Sequence, residues 1–486
     1  MIECGLVSQS IRRRCMTSHA FTTRLYGIVT GEKGAPNCNS LSDDACTHVP
    51  QNFLLNAASG NPVRLAQRIA GPDLVLPWLL GFLGAPAFFV GLLLPAHRFG
   101  VLIPQFFVVG QINRFKQRKW LWVGMALIRV LVILLMIPSA LFLPPVGVGI
   151  AIIVLLTIWG MAGGTGSIAF VDLIAKTIPK GQRGALMALR ELSGGILTLG
   201  VGLLLSHYAN TTSITPFIWL LASAAGMWFI AALLIAAVDE EDSEPRPTRG
   251  ALAEVSDGIK YLRANPGIQH FLVARGLILS VQILVPFFAL NASTKVGADA
   301  SSLGLVVITV GFAEALSSMI WGRLSRRMSR QVMTIANLLA VSAGILVLLF
   351  NQLSAQPYTL YLYVLPFLII GFARSGAMIG RLAYFLDAAP EEERPRYTAL
   401  NNIIMGGVTM GSAIFGVIAA QFGVEAVILI LMIAAGIGSL VTWRLPPVDK
   451  LITQQMPVAD PVMREITINP SVHPTYVPSP RSRIDE

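Results

Sequence analysis

The sequence predicts an all-α integral membrane protein with twelve transmembrane helices, arranged as two six-helix halves. Three observations predict this class: an apolar composition, an internal repeat and a charge asymmetry between loops. Apolar residues make up 54% of the 486 residues and charged residues only 13%, whereas a soluble domain carries about 25% charged residues. Segments of about 20 apolar residues cross a bilayer as helices, because lipid offers no partner to an open backbone.

The repeat consists of two pairs of segments that recur at nearly the same offset. The stretch Pro179–Gly195 returns as Pro390–Gly406, with its proline, an arginine four residues later and an Ala-Leu pair kept. The stretch Gly110–Lys119 returns in the same way as Gly322–Gln331. Two similar halves in a membrane protein are typical of transporters that rock one half against the other around a central site.

Six spans are predicted in each half. The first half contains Leu74–Ala96, Phe99–Ile112, Trp120–Leu143, Val146–Val171, Gly184–Tyr208 and Phe217–Val238. The second half contains Ile268–Leu290, Leu303–Trp321, Val332–Phe350, Tyr358–Gly380, Tyr397–Ala420 and Ala426–Trp443. The span Phe99–Ile112 is short and contains Pro104, but the repeat pairs it with Leu303–Trp321, which is long enough to cross.

Loop charges predict the orientation. Loops on one side hold thirteen basic residues outside the central linker, and the opposite loops hold only Arg98 and Lys295. By the positive-inside rule the basic side is cytoplasmic. We therefore expect a multi-pass protein of the inner (plasma) membrane, with the lipid bilayer as its surroundings and both termini in the cytoplasm. The net charge of +10 is then a topology signal, and no basic soluble face predicts a nucleic-acid partner.

The chain divides into five predicted segments, of which the two bundles, 73–238 and 268–444, are joined by a cytoplasmic linker with an amphipathic helix, 239–267. Residues 1–72 are polar and irregular, which predicts a cytoplasmic tail that is disordered or that precedes the true start of the protein. Residues 445–486 contain many prolines and predict a disordered cytoplasmic tail. All four cysteines lie in the first tail without metal-ligand spacing, so reduced thiols are expected and no metal.

Two six-helix halves, with a Gly/Arg loop after helices 2 and 8 and a P-x3-R loop after helices 4 and 10, resemble the major facilitator superfamily. That family's first loop reads roughly G-x-L-[A/S]-D-R-x-G-R-[R/K]. The copy that begins at Gly322 fits except that Arg326 replaces the aspartate, and the copy that begins at Gly110 also has an arginine, Arg114, there. The resemblance covers Leu74–Trp443 and implies a bacterial-type permease whose substrate the motifs do not identify.

The loop residues have a physical interpretation of their own. Gly110 and Gly322 are expected to allow close backbone approach at a helix end. The basic residues that follow are expected to bind helix C-termini or carboxylates of the neighbouring helix. The resemblance implies a cytoplasmic gate formed by Gly110, Arg118, Lys119, Arg183, Gly322, Arg327, Arg330 and Arg394. The alternative is that these arginines only anchor the topology at the headgroups.

Charges inside predicted spans mark the candidate substrate or coupling site, because a charge at mid-bilayer costs roughly 2.5–3.5 kcal/mol. Three residues stand out, Glu314, Arg374 and Arg129, and none has a charged repeat equivalent. Glu314 is interpreted either as the proton-carrying group or as a structural carboxylate, paired with Arg374 or capped by Ser317 or Ser318. Arg374 either binds an anionic group or neutralises Glu314, and a structural role is favoured for Arg129.

Together these features predict a secondary active transporter that moves a small organic solute by alternating access, coupled to protons. We expect a monomer with no cofactor and no enzyme activity, because no catalytic set and no nucleotide-binding loop is present. Two alternatives stay open: an uncoupled facilitator of the same fold, or a receptor or scaffold without transport. The arginine and the Gly-Pro pair of typical family drug antiporters are missing from helices 4 and 5, which disfavours a multidrug antiporter.

Overall fold

A computed structural model describes residues 23, 26–27, 43–107, 115–179, 182–183, 186, 189–190, 197, 199–203, 213–242, 266–296, 300–353, 359–388 and 394–446. Throughout these residues the regular elements are helices. Ten segments of the described chain are long and apolar enough to cross a membrane. The predicted fold class, an all-helical membrane protein built from two similar halves, is confirmed.

The helices are numbered here in chain order, and the numbers do not count membrane spans. The first half contains α1 (Asp43–Ala70), α2 (Val75–Phe82), α3 (Ala87–Phe107), α4 (Arg118–Phe142), α5 (Pro145–Thr177) and α6 (Thr215–Ala236). The second half contains α7 (Pro266–Val296), α8 (Ala300–Phe350), α9 (Thr359–Ala388), α10 (Arg394–Gly411), α11 (Ile414–Phe422) and α12 (Val424–Trp443). The long helix α8 contains two candidate spans, Ser302–Ser325 and Met328–Phe350.

The first span differs from the prediction. The predicted span Leu74–Ala96 is divided by a turn at Gly84, whose positive φ of 68° suits a residue without a Cβ. Before this turn, the described residues 43–82 form two helices, α1 and α2, with a non-helical break at 71–74 between them. The residues after it form α3, which contains Arg98. The prediction that Arg98 lies in an outer loop is therefore wrong.

Helix α1 also corrects the expected N-terminal tail. Residues 43–70 are helical and packed, with Val49, Phe53 and Ala66 buried. The sequence did not predict this helix, because its buried face includes polar groups and the segment contains prolines. One of these groups, Asn52, exchanges two 2.9 Å hydrogen bonds with the backbone of Asp239. Cys46 in the first turns is disulfide-bonded, although reduced thiols were expected.

Equivalent glycines in the two halves pack in equivalent ways. Gly160 on α5 lies against the backbone of His97 on α3. Its repeat equivalent, Gly371 on α9, lies against the backbone of Val310 on α8. Small residues let helices in a membrane approach closely. The repeat seen in the loops therefore extends to the packing of the spans.

The halves meet along α3, which contacts α10 and α11, and along α7, which contacts α2 and α3. Three close approaches cross this interface toward the end opposite the basic loops. Gly91 lies against Gly416, Gly81 lies against Ser293, and Gly202 lies against Ile308. The two halves are thus tightly joined at that end of the molecule.

The second Gly/Arg loop is helical, because α8 continues through it with one kink at Met328 (φ −139°, ψ 42°). No atom of the described residues lies within 4 Å of the position that a Cβ on Gly322 would occupy. The close backbone approach expected at Gly322 is thus not seen among these residues. Gly110, the equivalent residue of the first copy, lies outside the described residues.

Candidate functional site

Four charged side chains join the two halves of the molecule. Arg68 lies in the last turn of α1, and Asp73 lies in the break that follows. Glu314 on α8 forms an ion pair with Arg68, through a close Nη2–Oε2 contact and a 3.3 Å hydrogen bond from Nη1 to Oε1. Arg374 on α9 donates from Nη2 to Asp73 Oδ2 at 2.5 Å, and its Nε lies 3.6 Å from Glu314 Oε1. We call these residues the interhalf network.

The network lies deep in the membrane. Glu314 is near the middle of the span Ser302–Ser325, and Arg374 is near the middle of Tyr361–Phe385. The side chain of Glu314 is only 14% exposed. Charges at this depth are costly unless they are paired. The structure pairs two cations with two anions: the Arg68–Glu314 and Arg374–Asp73 pairs join the halves, and the longer Arg374–Glu314 contact lies within the second half.

The structure thus brings together two of the three predicted residues, Glu314 and Arg374. The pairing with Arg374, one of the alternatives for Glu314, is present, and Arg68 is an additional partner. The serine caps are wrong, because Ser317 and Ser318 donate to backbone carbonyls and not to the carboxylate. In the helix, these short side chains reach only the carbonyls of the preceding turn.

Arg129 on α4 lies apart from the network, inside the first half. Its guanidinium carbon is 5.3 Å from the ring centre of Trp159 and 4.3 Å from that of Trp228. Its Nη2 lies against α5 at Gly163, where a Cβ would otherwise stand. Its Nε is buried without a hydrogen-bond partner among the described residues. A cation between two indole faces suits the structural role predicted for Arg129.

The basic residues at the start of α4 surround a buried carboxylate, Glu240, which follows α6. The backbone N–H groups of Arg118 and Lys119 donate to its two oxygens at 2.9 and 2.7 Å, and Lys176 donates at 3.2 Å. The Arg118 guanidinium also contacts Asp172 on α5 at 2.9 Å. The sequence did not identify Glu240 because it lies in an acidic run, Glu240–Asp242, that resembles a solvated linker.

Other gate candidates bind helix ends or lie outside the described part. Arg183 donates to the carbonyls of Ile178 and Ala175 at the C-terminus of α5, at 3.0 and 2.8 Å. Arg330 donates to the Leu445 carbonyl after α12 at 2.7 Å. These are contacts with helix C-termini, and the Arg118–Asp172 pair is a contact with a carboxylate of the neighbouring helix. The gate candidates whose side chains are not described are Arg327 and Arg394.

Sequence reasoning missed five charged residues at the interface: Arg68, Asp73, Arg98, Arg275 and Arg381. Arg68 was assigned to the tail, Asp73 to the first residue of the first bundle ahead of its first span, and Arg98 to a loop. A usable signal exists on α9, where Arg374 and Arg381 are seven residues apart and therefore share one helix face. The predicted span ended at Gly380, one residue too early to include this pair.

A small apolar cavity of about 20 Å³ adjoins Arg68, between the two halves. Its walls come from α1, α2, α6 and α8 and from the described residues near Val201. Except for Arg68, its lining residues are apolar or glycine. The site therefore offers a charged network beside an apolar surface.

Solved transporters share this fold. The chain superposes on a nucleoside transporter, NupG, with a TM-score of 0.57 and 14% identity, covering 82% of this chain and 99% of that one. It superposes on a D-xylose-proton symporter with a TM-score of 0.61 and 14% identity, covering 82% and 98%. A bacterial metal transporter matches with a TM-score of 0.55 and 11% identity, over 81% and 98%. At these identities the likeness establishes the fold alone.

An uncharacterized protein of Mycobacterium tuberculosis (strain ATCC 25618 / H37Rv) is 24% identical over 312 residues. An uncharacterized protein of Mycobacterium bovis matches at the same identity. The match covers 62% of this chain and spans 60% of the length of these curated relatives. The family model described as Major Facilitator Superfamily matches residues 62–292 and 271–468. With this match over most of the chain, and with the two-half helical fold, the protein belongs to the major facilitator superfamily, a family of multi-pass membrane proteins that transport solutes.

Proposed function

We propose that this protein is a secondary active transporter that moves a small organic solute by alternating access, coupled to protons. It acts as a monomer in the inner (plasma) membrane, with both termini in the cytoplasm, and it carries out no enzymatic reaction. The observation that carries the proposal is the interhalf network. Ion pairs that join two rocking halves at mid-membrane must rearrange whenever the halves change their relative position.

The network also suggests how a proton enters the cycle. When the halves separate, Glu314 loses Arg68 and keeps only the longer contact with Arg374 of its own half, so its carboxylate binds a proton more readily. The neutral acid no longer compensates Arg68. Proton uptake therefore favours arrangements in which the two halves have moved apart at this point, and proton release restores the ion pair. This cycle ties the position of the halves to the proton on Glu314.

The close contacts at Gly81, Gly91 and Gly202 support a state that is closed on the side opposite the basic loops. Arg98 is exposed although it lies in the middle of α3, which supports an opening toward the other side. Basic residues of the loops bind Glu240, the end of α5 and the residue after α12, and these contacts keep each half rigid while it moves. On that basis we propose that the basic loops form the cytoplasmic gate.

A disulfide across the closed end tests alternating access without a known substrate. An ideal Cβ on Gly81 lies 3.4 Å from the Ser293 Cβ, close to the separation of about 3.5–4.5 Å in disulfides. In a chain whose native cysteines are replaced, Gly81→Cys with Ser293→Cys should cross-link under oxidation. A third cysteine, Arg98→Cys, reports access from each side to an impermeant maleimide. The control is the same chain without the Gly81→Cys substitution.

If the halves alternate, the cysteine at position 98 is labelled from the basic-loop side whether the 81–293 disulfide is oxidised or reduced. It is labelled from the far side only when that disulfide is reduced. Labelling from one side alone, whatever the redox state, would contradict alternating access and favour the receptor or scaffold. Proton coupling is tested on Glu314→Gln after a substrate is found. Gradient-driven uptake should collapse while counterflow survives, whereas an uncoupled facilitator would keep its uptake unchanged.

A further inference from the structure

Three arginines from three helices lie close together on the basic-loop side of the interhalf network. Arg98 belongs to α3 of the first half, and Arg275 and Arg381 belong to α7 and α9 of the second half. Helix α7 packs against both α3 and α9, and Arg98 acts electrostatically on both Arg275 and Arg381. The interface thus brings three like charges together, which is unfavourable for the protein alone.

Among the described residues the set has too few carboxylates. Asp73 acts on Arg98, but it already binds Arg374. No ion pair of the described chain includes Arg275 or Arg381, and the Nε of Arg275 is buried without a hydrogen-bond partner. Glu314 is occupied by Arg68 and Arg374. The interhalf network is balanced in charge, and the three further arginines are not.

The set faces the interface between the halves. Arg381 is seven residues after Arg374 and lies on the same face of α9, about 10 Å closer to the basic loops. Arg98 acts on Asp73 and Arg374, and its side chain is exposed. Arg275 and Arg381 are partly exposed. All three arginines are therefore at least partly exposed on the basic-loop side of the interhalf network.

We propose that Arg98, Arg275 and Arg381 bind the oxyanion group, a carboxylate or a phosphate, of the transported solute. This inference rests on the proposed function, because it assigns a substrate class to the central site. Guanidinium groups bind both oxyanions with paired N–H donors in a planar fork. An anion supplies the charge that the set lacks, and it contacts both halves at once.

Thermal unfolding of the purified full chain in detergent tests the assignment, since a ligand that binds the native state raises the melting temperature. The probes are inorganic phosphate, methylphosphonate, succinate and benzoate, compared with chloride at equal ionic strength and with neutral D-xylose and uridine. The variants are Arg98→Gln, Arg275→Gln and Arg381→Gln. The control variant is Arg323→Gln, an exposed arginine outside the set.

The wild-type protein and Arg323→Gln should show a saturable rise in melting temperature with the phosphate probes or the carboxylate probes, and none with chloride. Each variant of the set should lose this rise or need at least tenfold more probe. Without probe, Arg381→Gln should melt no lower than the wild type, because it removes repulsion between like charges. The class of probe that raises the melting temperature identifies the oxyanion as phosphate or carboxylate.

Stabilisation by neutral probes alone, or an oxyanion response that survives in all three variants, would overturn the assignment. These outcomes are independent of the cysteine-labelling experiment. If the protein binds oxyanions but does not alternate, the proposed ligand class stands and the proposed transport is refuted. If it alternates but does not bind oxyanions, the proposed transport stands and the ligand class is refuted.

Discussion

Arg374 and Arg129 are both buried cations, but they have opposite surroundings. By the repeat, Arg374 corresponds to Gly163, and the guanidinium of Arg129 fills the space beside Gly163. Arg374 lies between two carboxylates, one from the other half. Arg129 lies between two tryptophans of its own half. The duplicated helix frame thus holds one cation with a partner in the other half and one whose partners lie in its own half.

This difference indicates which buried charges are candidates for a functional role. A cation held by neutral rings of the same bundle keeps its contacts when the bundles rock as rigid bodies. A cation held by a carboxylate of the other bundle does not. Arg374 and its partners are therefore candidates for coupling, and Arg129 is a candidate for stability of the first half.

The largest expected effect comes from Glu314→Gln, which removes the carboxylate between Arg68 and Arg374. Breaking a buried pair by removing one partner typically costs about 3–5 kcal/mol, so this variant should melt well below the wild type. Arg374 still has Asp73, whereas Arg68 has no other carboxylate in the described ion pairs. Adding Arg68→Gln should therefore restore more stability than adding Arg374→Gln. The melting temperatures of the purified proteins in detergent check this order.

The matched control is Glu425→Gln, which removes a half-exposed carboxylate that pairs with Lys295 at 3.7 Å. Exposed pairs contribute about 0–1 kcal/mol, so its melting temperature should stay close to that of the wild type. A Glu314→Gln protein as stable as this control would show that the interhalf network does not hold the halves together.

A smaller effect is expected inside the first half. Trp228→Leu removes the ring face closest to Arg129, and a desolvated cation–π contact is worth about 2 kcal/mol. Arg129→Met keeps much of the side-chain volume and removes the charge. The double variant should be more stable than the sum of the single losses predicts, with a coupling of about 1–2 kcal/mol. Chemical unfolding of the four proteins measures this coupling, and strict additivity would refute the cation–π contact.

The smallest effect is expected at Glu240, which caps the first N–H groups of α4. The N-cap residue itself, Gln117, makes no side-chain cap. Loss of a cap typically costs about 1 kcal/mol, so Glu240→Gln should lower the melting temperature slightly. Asp242→Asn, at the exposed partner of Gln117, is the control and should have no measurable effect. A loss for Glu240→Gln as large as that for Glu314→Gln would reverse the ranking of the two regions.

The sequence predicted the class of fold because long apolar segments and repeated loops depend on local chemistry alone. It misplaced the first span, because the buried face of α1 contains Asn52, Asn56 and Ser59. Polar groups of this kind are tolerated only where other helices supply hydrogen bonds, and those partners are distant in sequence. The assignment of residues 1–72 to a tail follows from the same limit.

The candidate site was predicted in part. Glu314 and Arg374 were found because each is an isolated charge in an apolar span. Their partners Arg68 and Asp73 were missed because they lie beside a helix break in a segment of low hydropathy. The set of Arg98, Arg275 and Arg381 depends on three helices meeting at an interface, which no single stretch of sequence encodes.

The central claim is that the interhalf network holds the two halves in one of their arrangements. The decisive measurement is the rate at which the 81–293 disulfide forms in the double-cysteine protein. This rate is compared with the rate in the same protein that also carries Glu314→Gln. Each 1.4 kcal/mol of lost contact energy shifts an equilibrium about tenfold. Glu314→Gln should therefore slow disulfide formation at least about tenfold and raise far-side labelling of Arg98→Cys. Equal disulfide rates and equal labelling in a folded Glu314→Gln protein would contradict the account.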